Sequence, residues 1–357
     1  MSKSKEEEVE YELDLERVKE LIKKLDVKRA LLQMPDGLKA WSSLVIDELE
    51  RIGVEVVLDA GHTWGICDIP LYKAKLIHAD AIIHYGHLDI NGYFKIDNIK
   101  VISVPAYYKR EISVDVLNEL VNVLKPFKAI GLSSSIQHVK ELFRVGKYLK
   151  DRGFNVYIGR SKLSLFRPGQ ITGCELGATL SINDYVDAHV CISGGIFHAI
   201  GIAIMTGKDT FSLDPYKGVV ESSRVREFLK KVLVKKLYNL TIAMEANIFG
   251  IIVSRKPGQY KLALALKAKR ELEKRGRKAI VIISDEVSPT AIANIRGVDV
   301  FVNTACPRLA IDELEYFEGI IMINLNELKY VISNNMEGYT LRDALSWNMN
   351  LNFIDMK

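Results

Sequence analysis

Three of the four cysteines stand where a thiol could do chemistry. Cys67 closes Gly61-His62-Thr63-Trp64-Gly65-Ile66-Cys67, Cys174 closes Gly169-Gln170-Ile171-Thr172-Gly173-Cys174, and Cys306 lies in Thr304-Ala305-Cys306-Pro307-Arg308. Glycine or proline marks each segment as a loop, and each loop follows an apolar run that reads as a strand. A single cysteine is more often a small buried hydrophobe than a ligand. Three in equivalent loops reverse that balance and point to three thiolates around one metal centre. Such a set suits zinc or an iron–sulfur cluster, and spacing alone does not choose between them. Zinc would commonly add a histidine, and His62 stands close to Cys67; a cluster on three thiolates would keep one iron open to substrate. No CxxC pair is present, which argues against finger-like and ferredoxin-like modules. Cys191 lies inside the apolar run His189-Val190-Cys191-Ile192 and reads as core.

Other loops are marked as well. In Ser193-Gly194-Gly195-Ile196-Phe197-His198, two glycines precede an apolar helix, so free backbone N–H groups could meet an anion. A tight turn with His198 as a capping residue explains the same pattern. Gln33-Met34-Pro35-Asp36-Gly37 and Lys256-Pro257-Gly258-Gln259 are candidate ligand contacts, although turn chemistry alone would account for their prolines and glycines. Neither a Walker loop nor GxGxxG occurs, so nucleotide and dinucleotide readings lack support.

The elements that must carry these loops run through one order three times. Apolar strands alternate with amphipathic helices closed by Gly53, Gly153 and Gly276, and Asp80, Asp187 and Asp299 recur at the third strand of each pass. The third pass begins with a helix over 225–237 and an irregular stretch to Asn247. The expected fold is α/β, with three similar domains at residues 1–106, 107–215 and 216–357, each a small parallel sheet flanked by helices and related by a pseudo-threefold. Right-handed crossovers place every loop that follows a strand on one edge of its sheet, which is where ligands of such sheets bind. Cys67 and Cys174 follow second strands and Cys306 a third. All three therefore share that edge.

Composition sets the class. The chain is 48% hydrophobic and 26% charged, with 49 Lys and Arg against 45 Asp and Glu, as in a mildly basic globular protein. No run of eighteen apolar residues suggests a membrane span, and the start of the chain lacks the apolar core of a signal peptide. A cytoplasmic protein is expected, whose cysteines serve metal or catalysis rather than disulfides. No direct nucleic-acid partner is expected.

Taken together, QMPDGL at Gln33–Leu38, GHTWGIC ending at Cys67, GQITGC ending at Cys174 and SGGIFHAIGIAI at Ser193–Ile204 carry a family resemblance. It continues through Asp214-Pro215, FGIIVSRKPGQ at Phe249–Gln259 and TACPRLAIDE at Thr304–Glu313. The chain resembles the archaeal diphthamide synthase family that makes 2-(3-amino-3-carboxypropyl)histidine. It departs in GHTWGIC, where that family more often has an acidic residue after the first glycine. The resemblance implies three α/β domains that each give one cysteine, here Cys67, Cys174 and Cys306, to a [4Fe–4S] cluster. It also implies S-adenosylmethionine as co-substrate, used without the CxxxCxxC loop of ordinary radical enzymes, and a radical transfer of its 3-amino-3-carboxypropyl group to the imidazole C2 of a histidine in translation elongation factor 2. A homodimer is implied as well; the electron donor stays unknown. Gln170, Gly194, Gly195 and Gln259 are the residues expected to contact the cofactor. Two other readings are a quinolinate synthase-like cluster enzyme and a zinc-stabilised binding protein without catalysis.

Overall fold

Continuous apolar runs such as Ala81-Ile82-Ile83-His84-Tyr85 and Ala188-His189-Val190-Cys191-Ile192 leave no polar face, so each must lie in the middle of a sheet covered on both sides. The computed structural model, which describes residues 9–312 and 316–346, places them there. The ends of the first and third expected units, and Glu313 of the last motif, lie outside the described residues.

The first sheet contains β1 (Arg29–Gln33), β2 (Glu55–Leu58), β3 (Ala81–Tyr85), β4 (Tyr93–Ile96) and β5 (Ile99–Val104), in the order β2-β1-β3-β5-β4. The second contains β6 (Ala129–Ser134), β7 (Asn155–Ile158), β8 (Ala188–Ile192), β9 (Thr210–Asp214) and β10 (Val219–Glu221), in the order β7-β6-β8-β9-β10. The third contains β11 (Ile248–Ser254), β12 (Lys278–Ser284), β13 (Val300–Asn303) and β14 (Met322–Asn324), in the order β12-β11-β13-β14. Each sheet therefore repeats one parallel arrangement, second strand, first, third and then one more, which is β5 in the first sheet, β9 in the second and β14 in the third, with helices packed on its faces. The closing glycines Gly53, Gly153 and Gly276 take φ of 84°, 87° and 74°, the left-handed values that a helix end needs.

Three expectations need correction. Parallel pairing is not universal, because β4 pairs antiparallel with β5 and β10 antiparallel with β9. The first of these is a tight hairpin turned at Asp97-Asn98, both with positive φ, as a two-residue hairpin turn requires. Through β10 the second sheet runs past residue 215, where the third unit was expected to begin. The irregular stretch before Asn247 is instead the end of one 23-residue helix, Ser223–Glu245. Asn239 and Thr241 lower its intrinsic propensity, but packing outweighs that. The Asn239 amide donates to the Met322 carbonyl at 3.0 Å, and fully buried Lys236 and Glu327 form an ion pair at 2.5 Å.

The repeated aspartates have a shared task. The Asp80 carboxylate accepts from the backbone N–H groups of Lys28 and Arg29 at 2.8 and 2.9 Å, tying the start of β3 to the start of β1. Asp187 does the same for Lys128 and Ala129 at 2.9 and 2.8 Å, and Asp299 for Asn247 and Ile248 at 2.9 and 2.8 Å. The Arg29 N–H holds the Asp80 carboxyl below the usual carboxylate range. A group whose folded pKa is depressed stabilises the fold above its unfolded pKa, and that contribution fades as pH falls through the folded value. We expect Asp80→Asn to lower the urea midpoint at neutral pH, and to lose less stability than the wild type on acidification. Coincident pH profiles for the two proteins would refute this role.

Among the described residues, no helix is long and apolar enough to cross a membrane.

Candidate metal centre

Each cysteine loop is pinned by hydrogen bonds that its own sequence supplies. After β2, the chain enters a short turn at Ile66–Asp68; Gln33 at the end of β1 donates to the Asp68 carbonyl at 2.7 Å, and the Thr63 hydroxyl to the Met34 carbonyl at 3.0 Å. After β7, Gly169 takes φ of 73° and the strand direction of β6 is extended by a bridge from Ser134 to Gln170. A tight turn then encloses Cys174, because Thr172 and Glu175 bond each other at 2.9 and 3.1 Å. After β13, Asn303 folds back on its own loop: its side chain accepts from Ala305 N at 2.9 Å and donates to the Cys306 carbonyl at 2.8 Å. Buried Pro307 stops the strand there without leaving an N–H unpaired.

These three loops meet. Cys67, Cys174 and Cys306 all line one cavity of about 1500 Å³, each delivered by a different sheet. None is in a disulfide. The thiols feel one another: burial first, then Cys306, pushes Cys67 up to about 12. Burial, then Cys306 and Cys67, raises Cys174 well above the ordinary thiol value, and burial raises Cys306. Without a cation the three therefore stay protonated, and a metal must displace those protons to bind. Cys191 is 0% exposed within β8, away from the cavity, in the core role read from its sequence.

The donor set fits an iron–sulfur cluster. Three cysteines line one cavity, close enough to raise one another's pKa, and a four-iron cluster takes one thiolate at each of three irons. A zinc site instead needs its donors converged at about 2.3 Å from one point. Among the described residues, no group of three or more His, Cys, Asp or Glu is set to hold a single ion. His62, the expected zinc partner, lies on the exposed rim with Nδ1 2.6 Å from the Asp36 carboxylate.

The residues expected at the cofactor divide. Gln170 and Gln259 line the cavity. The Gln170 amide, fully buried, accepts from Arg167 N at 2.9 Å and donates to the His87 carbonyl at 3.0 Å, so it joins the second unit to the first. Gln259 Nε2 lies 3.3 Å from Cys67 Sγ. Gly194 and Gly195 are not among the cavity-lining residues; the Gly195 N–H is donated to Asp214 at 2.8 Å, and Gly194 packs under the Tyr216 ring. A free anion-binding turn is thus not what the two glycines form.

Sequence reasoning named Lys256 only within its candidate-contact turn and gave the rest of this wall no role at the site. Arg308, 4% exposed, is held by the Asp312 carboxylate and the Phe197 carbonyl, lies 4.0 Å over the Phe197 ring, and keeps Nη1 without a partner. Lys256 pairs with Asp68 at 3.1 Å and Glu286 at 2.8 Å, bridging the first unit to the third. His198 lines the cavity rather than capping its helix, with Nδ1 buried and unpaired, and burial holds its pKa down at about 3. Phe228, Lys231 and Lys235 add a face of the long helix. The signal for Arg308 and Lys256 was present, since both stand beside the marked cysteine and glycine turns. For Phe228, Lys231 and Lys235 there was none, although they lie within the stretch read as helical, because no motif marks that face.

Comparison with known proteins agrees with this geometry. Residues 34–340 match the family described as "Putative diphthamide synthesis protein". The chain is 30% identical over 305 residues to the 2-(3-amino-3-carboxypropyl)histidine synthase of Pyrococcus horikoshii, covering 85% of each chain. It is 26% identical over 307 residues to subunit 1 of the human 2-(3-amino-3-carboxypropyl)histidine synthase, covering 85% of this chain and 68% of that one. The crystal structure of Dph2 from Pyrococcus horikoshii with a 4Fe-4S cluster superposes with a TM-score of 0.80 at 29% identity, over 92% of this chain and 93% of that one.

Proposed function

The chain belongs to the diphthamide synthesis family, and from that premise we propose that it transfers the 3-amino-3-carboxypropyl group of S-adenosylmethionine to the imidazole C2 of a histidine in translation elongation factor 2. The observation that carries the reading is the meeting of Cys67, Cys174 and Cys306, from three sheets, at one cavity. These residues would hold a [4Fe–4S] cluster, the group that the Pyrococcus horikoshii protein carries in its crystal structure. Bound there, the cluster supplies the single electron that breaks the bond between the sulfonium sulfur and the methionine γ-carbon.

The chain's own residues bind and orient. Arg308 lines the cavity, and its charge suits the carboxylate of the transferred group, with Asp312 fixing the guanidinium plane. Phe197, Phe228 and Trp64 give apolar walls that exclude water from a reactive carbon centre. Which bond breaks depends on how the sulfonium is posed, so fixed walls serve the chemistry directly.

The repeated strand order and the three aspartate clasps support reading the chain as one α/β unit triplicated about a pseudo-threefold, with the second domain extended to include β10. A homodimer working in the cytoplasm completes the proposal. No specific observation favours the quinolinate synthase-like reading or the zinc-stabilised binding protein.

Anaerobic, dithionite-reduced protein incubated with S-adenosylmethionine and elongation factor 2 should place one aminocarboxypropyl adduct on a single histidine, found by mass spectrometry of the factor's peptides. Unmodified factor, from protein carrying its full iron and sulfide, would sink the proposal.

A further inference from the structure

One of the three thiols receives a hydrogen bond from outside its own unit. Thr172 and the Arg308 backbone, each in the cysteine's own loop, act against the rise in the pKa of Cys174 and Cys306. Cys67 is served from another unit, by the Gln259 side-chain amide at 3.3 Å across 192 residues of sequence. Gln259 is 4% exposed, so the contact is buried. Its position is fixed by the preceding turn: Pro257–Gln259 is a tight helical turn, closed by the Gln259 N–H to the Lys256 carbonyl at 2.9 Å. Lys256, at the start of that turn, is itself tied to Asp68 in the Cys67 loop. The amide is thus held at the sulfur from both sides.

An N–H donated to a ligand sulfur draws electron density from the thiolate and favours the reduced, more negatively charged cluster. The effect is larger in a dry site, where no solvent dipole substitutes for the missing donor. We propose that Gln259 is a positioning residue that sets the reduction potential of the cluster through the Cys67 sulfur, and so couples the third unit to the electron-donating step. This rests on the cluster reading above and concerns a contact to sulfur, not to S-adenosylmethionine.

The test is a redox titration of the anaerobic holoprotein, followed by the electron paramagnetic resonance signal of the reduced cluster, for wild type, Gln259→Leu and Gln259→Met. Leucine matches the volume without a donor, and methionine keeps the reach on an unbranched chain. The expected result is wild-type iron and sulfide content with the midpoint moved to lower potential in both variants. A midpoint equal to wild type in a variant that retains its cluster overturns the proposal. Loss of the cluster from both Gln259 variants also overturns it, since the residue would then hold the metal rather than tune it. A wild-type protein that shows no cluster signal at all fails the cluster reading instead, and the two failures are therefore distinct.

Discussion

Cys67→Ala, Cys174→Ala and Cys306→Ala are each expected to leave the protein folded but nearly free of iron, while Cys191→Ala keeps its full complement. The measurement is iron and acid-labile sulfide per chain after anaerobic purification, with the visible absorption of the brown protein as a second readout. The asymmetry follows from position. The first three line one cavity, and each comes from a different sheet, so no neighbouring cysteine can replace a lost one. Cys191 is fully buried in β8 within an apolar cluster, with Ser193 Oγ 3.4 Å from its sulfur. Its loss removes one buried sulfur from the core and should cost about 1 kcal/mol of stability, without touching the metal. Removing even an outer-shell partner of a metal costs roughly 10–100-fold in affinity or activity, so removing a ligand should cost more. Transfer activity should therefore fall below detection in the three ligand variants. Iron loss from Cys191→Ala, or retention of a full cluster by any of the other three, would show that different thiols hold the metal.

That prediction could be written from the sequence, and the reason is physical. The cysteines end apolar runs at glycine- and proline-marked turns, and crossover handedness sends all such turns to one sheet edge. The succession of strands and helices along each unit, helix ends at glycine and the role of Cys191 depend on local pattern, which periodicity reports. What the sequence concealed depends on contacts between units. Gln259 looked like a cofactor residue because it ends a turn beside the site; that it meets a sulfur depends on how the third unit docks on the first. Gly194 and Gly195 looked like an anion cradle, but Asp214 from the neighbouring strand β9 had already taken the Gly195 N–H. The helix over Ser223–Glu245 was cut short because Asn239 and Thr241 are poor helix formers, and their compensation comes from Met322 in β14 and the Lys236–Glu327 pair. Local propensity carries no trace of such partners.

Gly258 joins the two kinds of evidence, since its sequence pattern suggested a turn or a ligand contact but not a close approach to Cys67. It needs no left-handed backbone. The requirement is space: a Cβ on Gly258 would lie 2.4 Å from Cys67 Cα and 2.5 Å from Cys67 Cβ, against backbone that cannot rotate away. Gly258→Ala must therefore push the Pro257–Gln259 turn and the Ile66–Asp68 turn apart. Two contacts cross the same junction, from Gln259 to the Cys67 sulfur and from Lys256 to Asp68, and both lengthen together. The methyl group intrudes where the metal ligand is presented rather than into the core of any sheet. The cost should therefore fall on cluster binding more than on folding. We expect the purified variant to carry a small fraction of the wild-type iron and to lose about 1–3 kcal/mol of stability, as overpacked sites typically do. Cys67 should also be alkylated faster by iodoacetamide than in cluster-free wild type, because the separated turns admit solvent to a thiol that is 7% exposed in the intact junction. Equal alkylation rates with full iron content would mean that the two turns accommodate the methyl without parting, and that the close approach does not hold the ligand in place.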